Sequence, residues 1–167
     1  MKVSLLMAIT LDGKIGKSAD HFPDWTGKED KKLFVRLSRD AGVVIMGSKT
    51  FDTFGKPLPG RKNVILTRNT SRKSEWDNLV YTDRPPETLV ADLEAEGFSR
   101  VILAGGAQVN TLFARKGLID EVLVTICPMI FGRGISLFTE DVEMELDLKT
   151  VEKISDQVVY LTYNVVR

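Results

Sequence analysis

Short runs of apolar and β-branched residues recur along the chain, separated by stretches in which apolar positions fall three and four apart. The runs are Val3 to Ile9, 42–46, 63–66, 100–103 and 121–126. They are continuous rather than alternating, which suits strands covered on both faces in a mostly parallel sheet. Between them, helical spacing predicts helices at 28–39, 86–97 and 107–116. From about Val142 the pattern opens into alternation with no helical period, as expected of antiparallel strands finishing one edge. The expectation is therefore an α/β fold: one mostly parallel sheet with an antiparallel C-terminal edge and flanking helices. No repeat or linker-like stretch divides the 167 residues, so one domain over 1–167 is expected.

Charge narrows the function classes. Lys plus Arg and Asp plus Glu each number 23, so no global field draws the chain to nucleic acid or to an anionic membrane. Any bound anion must be held by local groups. One cysteine, Cys127, and one histidine, His21, exclude an internal disulfide and leave no metal-ligand cluster, and both fit a reducing cytoplasm. Asp12 and Lys14 end the apolar opening at 1–9, which reads as a buried strand rather than a secretion signal. No stretch reaches the ~20 apolar residues of a membrane span. Cys127 is expected to be a buried small side chain, and His21 an exposed loop residue.

Ligands of such sheets collect outside the carboxyl ends of the parallel strands. There, Gly105-Gly106 leads into the helical run from Ala107. Glycines at a strand-to-helix turn let backbone approach a pyrophosphate, and the helix N-terminus favours its charge. A second such turn, Gly47-Ser48-Lys49-Thr50, follows the strand ending at Met46, and Arg68 lies just past the strand ending Leu66-Thr67. Two cations beside such turns suit the extra phosphate of an NADP-type dinucleotide. The common G-x-G-x-x-G fingerprint is absent. In the helix at 28–39, Asp30 shares the face of Leu33, Phe34 and Leu37. A carboxylate on that face either neutralises the first helical turn or faces a pocket, where it would have a raised pKa and grip an N–H-rich heterocycle.

The run from Val44 through Gly47-Ser48-Lys49-Thr50-Phe51 and Gly55-Lys56-Pro57-Leu58-Pro59-Gly60-Arg61 to Thr67-Arg68 resembles the dihydrofolate reductase family. So do Ala8, the loop Leu11-Asp12-Gly13-Lys14-Ile15-Gly16, Trp25, Asp30 with Phe34, Gly105-Gly106 and Thr125. The resemblance implies a cytoplasmic NADPH-dependent reductase of one small-molecule substrate, as monomer or homodimer. It implies that Asp30 binds a pterin and promotes protonation of its imine nitrogen, with Thr125 bonded to that carboxylate and Trp25 on a loop, 15–25, that closes over the nicotinamide. Met7, Ala8, Phe34, Phe54 and Leu58 would line the substrate pocket, and Arg61 would pair with a glutamate carboxylate. Ala8, Ile15, Gly16, Gly47, Ser48, Lys49, Thr50, Thr67, Arg68, Ala104, Gly105, Gly106, Ala107, Gln108 and Val109 would contact NADPH.

Leu118 to Val122 and Cys127-Pro128-Met129-Ile130-Phe131-Gly132-Arg133-Gly134 resemble instead the reductase domain of riboflavin biosynthesis, a relative on the same fold. Ser48 and Asn110 stand where many dihydrofolate reductases carry an arginine and an aromatic residue. Three functions follow: reduction of dihydrofolate, which the Pro59-Gly60-Arg61 turn favours; reduction of a ribosylaminopyrimidine phosphate; and NADP binding without catalysis.

Overall fold

The computed structural model describes all residues, 1–167. In chain order its elements are β1 (Lys2–Thr10), β2 (Lys14–Gly16), α1 (Lys28–Ala41), β3 (Val43–Gly47), α2 (Ser48–Phe54), β4 (Lys62–Leu66), β5 (Leu79–Thr82), α3 (Pro86–Ala95), β6 (Arg100–Leu103), α4 (Ala107–Arg115), β7 (Glu121–Cys127), β8 (Ile135–Ser136), β9 (Leu146–Lys153) and β10 (Val159–Val165). Eight strands form one sheet in the order β5-β4-β3-β6-β1-β7-β10-β9. The pairings from β5 to β7 are parallel, and β10 and β9 add the antiparallel edge. This is the architecture expected from the pattern.

Continuous apolar runs are needed because both faces of the sheet are covered. Successive side chains of a strand point to opposite faces. Val43 and Ile45 accordingly join Leu89, Leu93, Val109 and Phe113 of α3 and α4. Val44 and Met46 join Leu33 and Phe51 of α1 and α2. Three features escaped the pattern. β5 is a four-residue edge strand with Val80 exposed, too short to carry a period. The two-stranded β2–β8 ladder, Lys14 with Ser136 and Gly16 with Ile135, is equally brief. The antiparallel edge begins at Leu146 rather than near Val142.

The sheet is split at its carboxyl end. β1 pairs with β6 only from Lys2 to Leu5, whereas its pairing with β7 runs on to Thr10. β6 meets β3 at just Val44 and Ile45. Past Leu103, β1 and β3 therefore have no strand between them. Gly47 N–H instead donates to Gly105 O at 2.8 Å, closing the bottom of the gap with a turn.

Candidate active site

The gap opens into a cleft of about 1070 Å³. That is at the upper end of the roughly 300–1,000 Å³ of ordinary small-molecule pockets. Met7, Ala8 and Ala104 line it from the split strands, Asp30, Lys31, Phe34 and Val35 from α1, and Gly47 to Thr50 from the turn into α2. Gly106 to Val109 line it from the turn into α4, while Thr67 and Arg68 follow β4. Ile15, Gly16 and the segment from Ser18 to Thr26 cover it, Trp25 included.

Most residues singled out in the sequence thus meet in one cavity, Ser48, Phe54, Leu58, Ala107 and Gln108 among them. Three do not line it. Thr125 and Gly105 lie behind the wall, both buried. Arg61 is the substantive correction. It is 5 % exposed, and its guanidinium donates to Ser38 Oγ and, at 3.1 Å, to Pro59 O. Ser38 Oγ in turn donates to Phe34 O at 2.5 Å. The Pro59-Gly60 turn directs this side chain under α1 rather than into the cleft, where a carboxylate clamp would need it. His21 differs too: it is half-buried and lines the cleft. Cys127 is buried as expected, its thiol pushed up to about 11 by burial and the nearby Asp30 charge.

Asp30 sits in the first turn of α1, so the first-turn reading and the pocket reading are both realised. Thr125 Oγ1 donates to Asp30 Oδ1 at 2.5 Å. Burial raises the Asp30 pKa above the usual carboxylate range, and hydrogen bonds from Thr125 and Thr26 oppose that rise. The carboxyl is therefore fixed in position and holds its proton to higher pH than a surface aspartate. Trp25, also in the cleft wall, has its Nε1 buried without a partner.

The opposite half of the cleft suits a dinucleotide phosphate. A Cβ on Gly47 would stand 3.1 Å from Val109 Cγ2, and one on Gly106 would stand 3.2 Å from Thr50 Oγ1. A side chain at either turn would crowd its neighbour, and glycine avoids this. α4 begins with no side-chain cap, leaving its first N–H groups free. Lys49 and Arg68 are exposed at this end and take part in none of the twelve salt bridges. These residues fit NADPH, with the two cations available to its 2′-phosphate. No group of His, Cys, Asp and Glu could hold a metal, and no helix is long and apolar enough to cross a membrane.

The model of the RibD C-terminal domain family matches residues 1–160. The dihydrofolate reductase of Haemophilus influenzae is 33% identical over 127 residues, covering 75% of this chain and 71% of that protein. A crystal structure from Shewanella sp. PV-4, described as a riboflavin biosynthesis protein, superposes with a TM-score of 0.85 at 24% identity over 100% of both chains. A Thermotoga maritima diaminohydroxyphosphoribosylaminopyrimidine deaminase/5-amino-6-(5-phosphoribosylamino)uracil reductase superposes with a TM-score of 0.83 at 19% identity, over 99% of this chain and 56% of that one.

Proposed function

The chain belongs to the RibD C-terminal domain family, within the dihydrofolate-reductase-like superfamily of NADPH-dependent oxidoreductases, and from that premise we propose that it reduces a C=N bond attached to an aminopyrimidine ring. The observation that carries this reading is Asp30, held by Thr125 at the cleft wall with its pKa raised. Its carboxyl accepts hydrogen bonds from the N–H edge of the ring and keeps a proton available to the reacting imine nitrogen. NADPH, when bound, supplies the hydride that the imine carbon takes up. Gly47, Gly106 and the α4 N-terminus hold the pyrophosphate, and Lys49 and Arg68 select the 2′-phosphate. Ala8 and Ala104 leave space for two flat rings to meet, and Trp25 with its covering segment excludes water.

Two substrates have this chemistry. We put first the ring-opened form of a ribosylaminopyrimidine phosphate, whose C1′=N bond becomes the ribitylamine. The family match over 1–160 supports it, as does the absence of Arg61 from the cleft wall, which removes the main argument from sequence for a glutamate-bearing substrate. Lys31, exposed at the α1 side of the cleft, is the cation available to that phosphate. The second reading is dihydrofolate, reduced at C6=N5. It is supported by the apolar wall of Phe34, Val35, Phe54 and Leu58, which suits an aryl tail better than a sugar chain.

The test follows loss of NADPH absorbance with each substrate in turn, for wild type and Asp30→Asn. Turnover of the pyrimidine phosphate alone supports the first reading and turnover of dihydrofolate alone the second; in either case the Asp30→Asn variant must lose it. NADPH binding with turnover of neither would overturn both.

A further inference from the structure

Asn110 carries a polar side chain at a wholly buried position of α4, between the buried Val109 and Thr111. The fold treats the two ends of its amide differently. Nδ2 donates to Leu137 O at 2.9 Å, whereas Oδ1 is buried and accepts from nothing. Turning the amide over would set Oδ1 against the Leu137 carbonyl, so its orientation is fixed. An unpaired buried acceptor costs free energy that an apolar side chain would not. With no surface open to solvent, Asn110 must find its missing donor within the protein.

That donor is close by. Side chains of a helix lean toward its N-terminus, over the preceding turn. Asn110 N–H donates to Gly106 O at 3.0 Å, so its side chain reaches back to Gly105. Oδ1 lies 3.6 Å from where a Cβ on Gly105 would stand. Gly105 O accepts from Gly47 N–H at 2.8 Å, but Gly105 is itself buried and its own N–H finds no acceptor in the chain. A free donor and a free acceptor therefore sit side by side behind the cleft wall, out of bonding geometry. Gly106, the next residue, lines the cleft, and its N–H is free as well.

We propose that Asn110 is a positioning residue for the cofactor: when the dinucleotide seats on the Gly105-Gly106 turn, Asn110 Oδ1 takes up the Gly105 N–H and locks the turn with Gly106 N–H toward the pyrophosphate. Asn110 touches neither cofactor nor substrate. It leaves a bond unmade in the empty protein and makes it in the loaded one, so part of the binding energy comes from behind the wall. The inference rests on the reading that the dinucleotide seats on this turn and is independent of which heterocycle is reduced.

The experiment adds NADPH to protein labelled with ¹⁵N at glycine, as wild type, Asn110→Ala and Thr111→Val. In wild type, NADPH should shift both the Gly105 and Gly106 amides, moving the Gly105 proton downfield and slowing its solvent exchange about three- to tenfold, the worth of one intramolecular hydrogen bond. Asn110→Ala should bind NADPH more weakly by a similar factor and lose the Gly105 response while keeping that of Gly106. Thr111 Oγ1 accepts from Thr139 N–H at 2.8 Å, so Thr111→Val loosens the same helix without touching Oδ1. It should lower the melting temperature yet keep wild-type NADPH affinity and the Gly105 response. A wild-type Gly105 amide unchanged by NADPH would overturn the proposal whether or not the variants fold. So would a full Gly105 response, or wild-type affinity, in Asn110→Ala. A Gly106 amide that ignores NADPH in wild type would overturn the seat on the turn as well.

Discussion

Thr125 on β7 and Asp30 on α1 lie 95 residues apart in sequence and 2.5 Å apart in space, the hydroxyl donating to the carboxylate. Thr125 is wholly buried and outside the cleft, whereas Asp30 is within it. The threonine thus sets the carboxylate's orientation from behind and leaves its cleft side to the substrate.

Asp30→Asn is expected to abolish most turnover, by about 10²–10⁴-fold, the usual contribution of a positioned acid or base. It should also stabilise the protein at neutral pH. A carboxyl whose pKa is raised on folding adds stability below its unfolded pKa and loses that contribution as pH rises through the folded value. Thermal melts should therefore show the variant melting above wild type at pH 7, with the difference closing as pH falls below about 4.

Thr125→Val removes a bond that lowers the Asp30 pKa. The pKa should rise further, so the alkaline limb of the pH–kcat/KM profile should move to higher pH. An unmoved limb would mean that Asp30 is not the proton source.

Arg61→Ala should act on stability and leave the KM for either heterocycle within about twofold, the scale of an indirect effect. Removing the buried guanidinium takes a donor from Pro59 O and from Ser38 Oγ, which keeps its own bond to Phe34 O, a loss of about 1–3 kcal/mol. Urea unfolding beside substrate kinetics separates the two effects. A large rise in KM for dihydrofolate alone would return Arg61 to the folate reading.

Gly106→Ala should weaken NADPH by about tenfold or more, because a Cβ 3.2 Å from Thr50 Oγ1 fills the phosphate turn. Calorimetric titration measures the loss; Gly106 has a φ of −72°, so an alanine there meets no left-handed strain and the effect is one of space alone.

Replacing Lys49 and Arg68 together by methionine should erase the preference for NADPH over NADH, and with it most of the salt dependence of cofactor binding. Equal loss for both cofactors would place the 2′-phosphate elsewhere.

The reach of the sequence differs between the fold and the site. β1, β3, β4, β6 and β7 were legible because each is apolar on both faces. The glycine turns and Asp30 were legible because a residue stands there that the local element does not ask for. Asn110 left half a signal: a polar residue stands where related chains carry an aromatic one, but the bond to Leu137 that turns its Oδ1 toward Gly105 joins positions 27 apart. Arg61 was misplaced for a related reason. A turn predicts that a side chain is presented, but its direction depends on Ser38, from a helix whose position spacing alone does not give.

β1 lies between β6 and β7, its partners beginning at residues 100 and 121. β1 is therefore made some hundred residues before the neighbours it pairs with. Closing such long loops before any contact rewards them slows folding. During synthesis the segment from Val3 to Ile9 has no partner strand until β6 is made, and its half beyond Leu5 none until β7 follows, so fragments ending before Arg100 should be sticky and protease-sensitive rather than partly native.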